Sequence, residues 1–353
     1  MQNKTILGVM SGTSCDGLDF CLATFSENEN GFTYNIKATE GIDYSEEWKL
    51  RLHNAFNLSG LDLKQLEFDF TIFQAEQINL FRKNNPTISI DFISTHGHTV
   101  FHNPTKGYTH QITLGGLLAE KTKIPVVCNF REQDVILGGQ GAPLVPIGDQ
   151  LLFSQYDACI NLGGFANISY QENNHRIAFD LCPFNILMNA FAKKMGKEYD
   201  DQGLFARHGK LDEVLLEALN SKSYYQQKPP KSLSVEDINS FYETIFYYGV
   251  YDPEIALRTL VEHYAITIAK HTRANQNILM TGGGAFNSFF IERLKHFSEA
   301  NIHIPPTALI NFKEALIFAF LGDLRLRNKT NILSSVTGSR TDHSSGQIYY
   351  PIL

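Results

Sequence analysis

The chain has 353 residues, 43% of them hydrophobic, with 30 Lys and Arg against 37 Asp and Glu for a formal net charge of −7. That size can bury substantial cores, most naturally as two domains, and the acidic balance offers no basic surface for nucleic acid. The five cysteines are irregularly spaced with no C-x-x-C pair, which predicts free buried thiols and a cytoplasmic setting. No signal peptide is expected ahead of a first strand that starts almost at once, and no apolar run reaches the ~18 residues of a membrane span.

Residues 5–10 and 18–25 are short, apolar and partly β-branched, and read as the two strands of a hairpin. In the turn between them Gly12 and Gly17 are expected to take positive φ or permit close backbone approach. Ser11, Thr13 and Ser14 add hydroxyls to an anion nest, and Asp16 and Asp19 supply hard oxygens suited to Mg²⁺. A ligand-free loop of Gly, Ser and Asp is the plainer alternative. No Gly-Lys-Ser/Thr and no helix follow, so this is not a P-loop.

A strand over 32–39, helices over 46–56 and 63–82, and a strand over 88–94 come next. His96, His98 and His102 then fall in one strand-like stretch, where a period of two puts them on one face. Such a trio can bind metal, but the β-favouring Thr99 and Val100 make a structural role the preferred reading. After a helix over 115–123 and a strand over 125–128 come Arg131 and Asp134. Arg131 could grip a carboxylate or phosphate in a bidentate contact, or simply form a surface salt bridge.

The second half begins with another pair of hairpin strands, 158–162 and 165–170, bent at Gly163-Gly164, with a further strand over 176–179. Asp180 ends that strand before Pro183 opens a helix reaching Lys194. Its carboxylate is therefore expected at a helix N-terminus, as a catalytic base or as a cap. Residues 228–232 read as a surface loop and 255–273 as a long amphipathic helix. Gly282-Gly283-Gly284 lies between a strand at 278–279 and a helix over 289–297, and lets a flat or anionic group sit against the backbone. Glu314 starts a helix over 313–324.

Segments 8–19, 161–169 and 280–287, in that order, resemble the acetate kinase, sugar kinase and actin superfamily. Within it the chain resembles the anhydro-N-acetylmuramic acid kinase family over nearly its whole length. The further residues carrying that resemblance are 96–102, 129–134, 138–146 and 200–203. The resemblance implies an α/β, two-domain actin-like ATPase (ribonuclease H-like) fold with an interdomain cleft. Domain 1 would comprise residues 1–140 plus 327–353, and domain 2 residues 141–326.

The resemblance also implies ATP as cosubstrate with Mg²⁺, a small anhydro amino sugar as substrate, no nucleic-acid or membrane partner, and a homodimer. ATP would be held by Gly12, Thr13, Ser14, Asp16, Gly17, Gly163, Gly164, Asn167, Gly282, Gly283, Gly284 and Asn287, with Asp16 and Asp19 toward the metal. His98, Thr99, Arg131, Asp134, Asn185 and Glu314 would meet the sugar. Asp180 would be the general base that activates water to open the 1,6-anhydro ring while O6 receives the γ-phosphoryl group.

Departures from the family pattern are visible. Where the family reads Asp-Thr-Gly-Pro-Gly-Asn, this chain has Asp180-Leu181-Cys182-Pro183-Phe184-Asn185, and Phe184 is expected to add bulk beside the sugar. His98 stands where Gln is usual and Asp149 where His is usual, and Lys231-Ser232-Leu233-Ser234-Val235-Glu236 replaces Lys-Ser-Thr-Gly-Arg-Glu. A kinase of a different sugar, or a nucleotide and sugar sensor with little turnover, are the competing expectations.

Overall fold

A computed structural model of the chain describes residues 4–352 except residues 13 and 30. Two compact units are present, Met1–Leu152 with Phe312–Leu353, and Phe153–Asn311.

In the first unit, β1 (Thr5–Ser11), β2 (Gly17–Asn28) and β3 (Gly31–Asp43) form an antiparallel meander. After β4 (Phe92–Thr95) come a separate hairpin of β5 (His98–Asn103) with β6 (Tyr108–Ile112), and then β7 (Val126–Cys128). The main sheet runs β3-β2-β1-β4-β7 and ends on the strand Gln347–Tyr349, with β1, β4 and β7 parallel. Strand β1 is buried on both faces, which is why it reads as a continuous apolar run. Leu7 and Val9 join Phe70 and Ile78 of the helix Gly60–Asn84 in one core. On the other face Gly8 lies so close to Ala315 of the helix Thr307–Leu326 that a Cβ would collide with its carbonyl.

That helix kinks at Phe312, where the second unit gives way to the first. The two compact units meet at 152/153 and 311/312, beside the domain boundaries expected at 140/141 and 326/327. Residues 313–326 lie along β1, and Gly148 of the helix Pro146–Leu152 sits directly on Ile317.

The second unit has β8 (Ala158–Leu162), β9 (Phe165–Glu172), β10 (His175–Pro183), β11 (Asn277–Thr281) and β12 (Asn301–His303), in the order β10-β9-β8-β11-β12. The first three are antiparallel, and β8, β11 and β12 are parallel. Each unit thus repeats one plan, third-second-first-fourth-fifth, the ribonuclease H-like plan of actin-like ATPases. The helix Pro253–Ala269 starts with Asp252 accepting from Glu254 N and Pro253 in its first turn. Its Leu257, Leu260, Val261, Tyr264 and Ile268 are fully buried, each such side chain contributing about 1.5–3 kcal/mol of transfer free energy.

The helix expected up to residue 194 occupies Asn185–Lys194. Two local expectations change. The strand expected over 88–94 is confined to Phe92–Thr95. The strand expected to stop at 179 continues to Pro183, so Asp180 lies inside β10 and Pro183 ends a strand rather than opening a helix. A bulge between Asp180 and Cys182 absorbs the irregularity.

Candidate active site

Asp180 sits where the sheet of the second unit turns polar. Register pairs Thr281 with Asn161, Asn161 with Asn167 and Asn167 with Asp180, so four polar side chains form one row on one face across β11, β8, β9 and β10. Among these otherwise apolar strands that row is a break in the core pattern. Thr281 Oγ1 is buried without a hydrogen bond.

Residues 224–233 clasp Asp180 from the side. Its N–H donates to Lys231 O at 3.3 Å, its carbonyl accepts from Tyr224 Oη at 2.6 Å, and Oδ2 accepts from Leu233 N at 2.9 Å. Lys231 Nζ donates to Tyr224 O and lies 4.5 Å from the centre of its ring, which fixes the segment itself. Oδ1 makes no hydrogen bond among the described residues, so this oxygen is left to take a proton. Burial raises the carboxyl above the ordinary range and the Leu233 bond opposes the rise. Such a poised carboxylate suits a general base.

On the same unit a cavity of about 530 Å³ is lined by Asn185, Met188, Tyr199, Asp200, Asp201, Gln202, Gly283, Gly284, Phe286 and Asn287, among others. The glycine turn is required sterically. Gly282 has φ 82° and a Cβ would lie 2.8 Å from Leu162 C, while at Gly284 it would collide with the Phe184 ring. Asn287 caps the helix Ser288–Phe297 by accepting from Phe290 N at 2.9 Å. At the hairpin bend, Gly163 O accepts from Asn185 N, and Gly164 O from Phe184 N and Ile186 N, so the bend anchors the next helix. Asn185 Nδ2 donates to Leu162 O at 2.9 Å. Within the second unit Asn185 lines the same cavity as Gly283, Gly284 and Asn287.

In the first unit the turn between β1 and β2 differs from expectation at its glycines. Among the described residues of the turn, the one in the left-handed region is Cys15, with φ 54°. Neither Gly12 nor Gly17 is at positive φ, and Gly17 serves close approach, a Cβ there colliding with Ile42 O. Ser14 is exposed, and Thr13 lies outside the described residues. Asp16 is exposed and Oδ1 accepts from Gly17 N at 3.0 Å. The Asp19 carboxyl is raised to about 7, first by burial and then by the charges of Asp16, Glu314 and Asp43.

Carboxylates crowded in this way fit a divalent cation, which would relieve their repulsion. Among the described residues no three His, Cys, Asp or Glu side chains form a metal cage. Mg²⁺ asks for less, since one or two carboxylates with phosphate and water complete its shell.

Arg131 is held by two contacts. Nε donates to His96 Nε2 at 2.8 Å and Nη1 to Gly141 O at 2.6 Å. His96 Nδ1 lies 2.9 Å from Gly97 O and must carry the ring proton, so Nε2 is free to accept. Burial lowers the guanidinium to about 10, with Glu314 and Asp134 acting in the opposite direction, and it remains a cation at neutral pH. Glu314 is solvent-exposed on the helix Thr307–Leu326. Thr99 is half-buried and accepts from Gln111 Nε2.

Asp134 and His98, both expected at the sugar, are occupied internally. Asp134 is fully buried and accepts from Gly141 N and Thr337 Oγ1 at 2.7 Å each, so it anchors the 138–146 loop beside Arg131. His98 is 2% exposed with Nδ1 on Ser11 Oγ and Nε2 facing Cys15 Sγ. The expected one-face row of histidines also does not form. His96 lies between β4 and β5, a bulge interrupts β5 between Thr99 and Phe101, and His102 is exposed against Thr109.

Phe184, expected beside the sugar, is fully buried between Tyr264 and Phe290, and Leu181 and Cys182 are buried with it. These replacements of smaller residues fill the core of the second unit. Asp149, at the position where His is usual, forms a buried ion pair with Lys313 at 2.7 Å. Sequence reasoning missed the clasp, because its hydrogen bonds to Asp180 use the Lys231 and Leu233 backbone and one Tyr hydroxyl. The paired Pro229-Pro230 was the only local signal of a shaped segment.

The anhydro-N-acetylmuramic acid kinase family model matches residues 4–351. The chain belongs to the anhydro-N-acetylmuramic acid kinase family. The anhydro-N-acetylmuramic acid kinase of Mannheimia succiniciproducens is 33% identical over 379 residues, covering 99% of this chain and 100% of that protein. That of Saccharophagus degradans is 34% identical over 385 residues, with 99% and 100% covered. Among solved structures, a ROK family glucokinase from Streptomyces griseus in complex with glucose and AMPPNP has a TM-score of 0.40 at 13% identity, covering 89% of this chain and 97% of that one. No helix among the described residues is long and apolar enough to cross a membrane. In this kinase-family chain Leu181, Cys182 and Phe184, between Asp180 and Asn185, face the core.

Proposed function

We propose that this chain is an ATP-dependent kinase that opens 1,6-anhydro-N-acetylmuramic acid with water and phosphorylates its O6, giving N-acetylmuramic acid 6-phosphate and ADP. Full-length membership of the anhydro-N-acetylmuramic acid kinase family carries this reading. The reaction would serve the recovery of cell-wall sugar in the cytoplasm, and the chain would act as a homodimer, both on the strength of the family resemblance.

Asp180 Oδ1 takes a proton from the water that attacks C1, while Leu233 N–H and the Tyr224 hydroxyl keep the carboxylate and its backbone in place. As the C1–O6 bond breaks, its electron pair goes to O6, which attacks the γ-phosphorus, and the bond to the β-phosphate oxygen breaks to release ADP. The cavity beside Gly283 and Gly284 takes the adenosine, and the bends at 12–17 and 163–164 take the phosphates. Asp16 and Asp19 would hold Mg²⁺, which supplies positive charge to the phosphates. Arg131, its Nε and Nη1 fixed by His96 and Gly141, presents its remaining edge to the lactyl carboxylate, with Thr99 and Glu314 on the sugar.

Mass analysis of the product tests the proposal. The anhydro-sugar should gain the mass of one water and one phosphoryl group for each ADP released. Phosphorylation without added water, or of simple hexoses alone, would overturn it.

A further inference from the structure

The turn between β1 and β2 is held from outside itself. Tyr44 grips it at both ends: its main-chain N–H donates to Asp16 O at 2.9 Å, and its hydroxyl meets Ser11 Oγ at 2.7 Å. Ser11 Oγ in turn lies 2.9 Å from His98 Nδ1, and His98 Nε2 lies 3.8 Å from Cys15 Sγ. All four side chains are buried, Ser11 at 1%, His98 at 2%, Tyr44 at 3% and Cys15 at 8% exposure.

Proton accounting gives this chain a direction. The buried Tyr44 hydroxyl has Ser11 Oγ as its partner among the described residues, so it donates there. Ser11 then donates to His98 Nδ1, which leaves the imidazole hydrogen on Nε2, the atom facing Cys15. Cys15 is the residue of the turn at φ 54°, a conformation that a side chain adopts at a cost and keeps only when its surroundings impose it.

We propose that Tyr44, Ser11 and His98 are positioning residues that hold Cys15 and Asp16 of the turn where the ATP phosphates are received, His98 acting on nucleotide affinity through Cys15 and not on the sugar. The inference rests on the reading of this turn as a phosphate grip. Because His98 opens β5 and Thr99 follows it, the same strand carries a brace of the phosphate turn and a residue of the sugar site.

Steady-state kinetics on the full chain, with ATP and anhydro-sugar varied separately, test it. Tyr44→Phe removes one oxygen, and His98→Leu removes both ring nitrogens. Each should raise the KM for ATP about fivefold to tenfold, the scale of one lost hydrogen bond, and move the KM for sugar less than about twofold. His98→Gln, whose amide offers an acceptor and a donor, should restore most of the loss. A parallel change in both KM values, or no rescue by Gln, would overturn the positioning role.

Asp16→Asn separates the two levels of the reading. If it leaves the KM for ATP unchanged, the turn is no phosphate grip. If it raises that KM while Tyr44→Phe and His98→Leu do not, the brace alone is wrong. Should His98→Leu fail to fold, Tyr44→Phe carries the test.

Discussion

Leu233 donates its backbone N–H to Oδ2 of Asp180 at 2.9 Å. The bond opposes the burial that raises this carboxyl, and in the proposed mechanism it leaves the other oxygen to accept the proton. The base must be ionised, so kcat/KM rises with pH through the Asp180 pKa. Leu233→Pro deletes the N–H, raises that pKa and should shift the acid limb of the pH profile upward. An unmoved limb in a variant of unchanged melting temperature would remove the clasp from the mechanism.

Asp19 makes stability depend on pH with a definite sign. Its carboxyl is raised from 3.8 to about 7 in the folded chain. Between those values the folded protein keeps a proton that the unfolded chain has lost, so stability is full below the lower value and falls as pH rises through the upper one. Asp19→Asn should raise the melting temperature by a few degrees at about pH 8 without Mg²⁺, and leave it unchanged below about pH 4. Scanning calorimetry at the two pH values checks this.

Phe184→Ala should behave as a core truncation. The ring is fully buried on Tyr264 and Phe290, so the loss should be about 3–5 kcal/mol in denaturant melts. The KM for sugar in the folded variant should stay at the wild-type value. A lowered KM would place the ring in the sugar pocket after all.

Two glycines should separate folding from binding. Gly284→Ala drives a methyl into the Phe184 ring and should cost about 1–3 kcal/mol by overpacking. At Gly164 the nearest atom to a Cβ is Ile186 Cβ at 3.9 Å, so Gly164→Ala should leave the melting temperature unchanged. On the proposed placement of the phosphates at this bend it should nevertheless weaken ATP, measured by isothermal titration.

Much of this was legible in the sequence, for reasons that differ by residue. The hairpins at β1–β2 and β8–β9 announce themselves through short apolar runs on either side of glycine-containing bends, a local pattern. Asp180 was singled out as an acid at a strand end and by the family resemblance, although its position inside β10 depended on a bulge that no composition reveals. Phe184 was misplaced because a glycine replaced by an aromatic suggests a blocked pocket, whereas the direction of its ring is set by Tyr264 and Phe290, far away in the chain. His98 and Asp134 were placed at the sugar by the family resemblance. Their partners Ser11 and Thr337 are about 90 and 200 residues distant, and only the fold shows that their polar atoms are occupied. Asn185 belongs with the glycine turn near 283 through the same long-range packing.

In the proposed mechanism Asp180 activates water to open an anhydro-sugar as ATP phosphorylates it. Release of ADP by wild type and Asp180→Asn, with the anhydro-sugar as acceptor, tests it most directly. Turnover in the wild type should fall by roughly 10²–10⁴-fold in the variant, with ATP still bound. No ADP release from the wild type, or equal rates in both proteins, would contradict the claim.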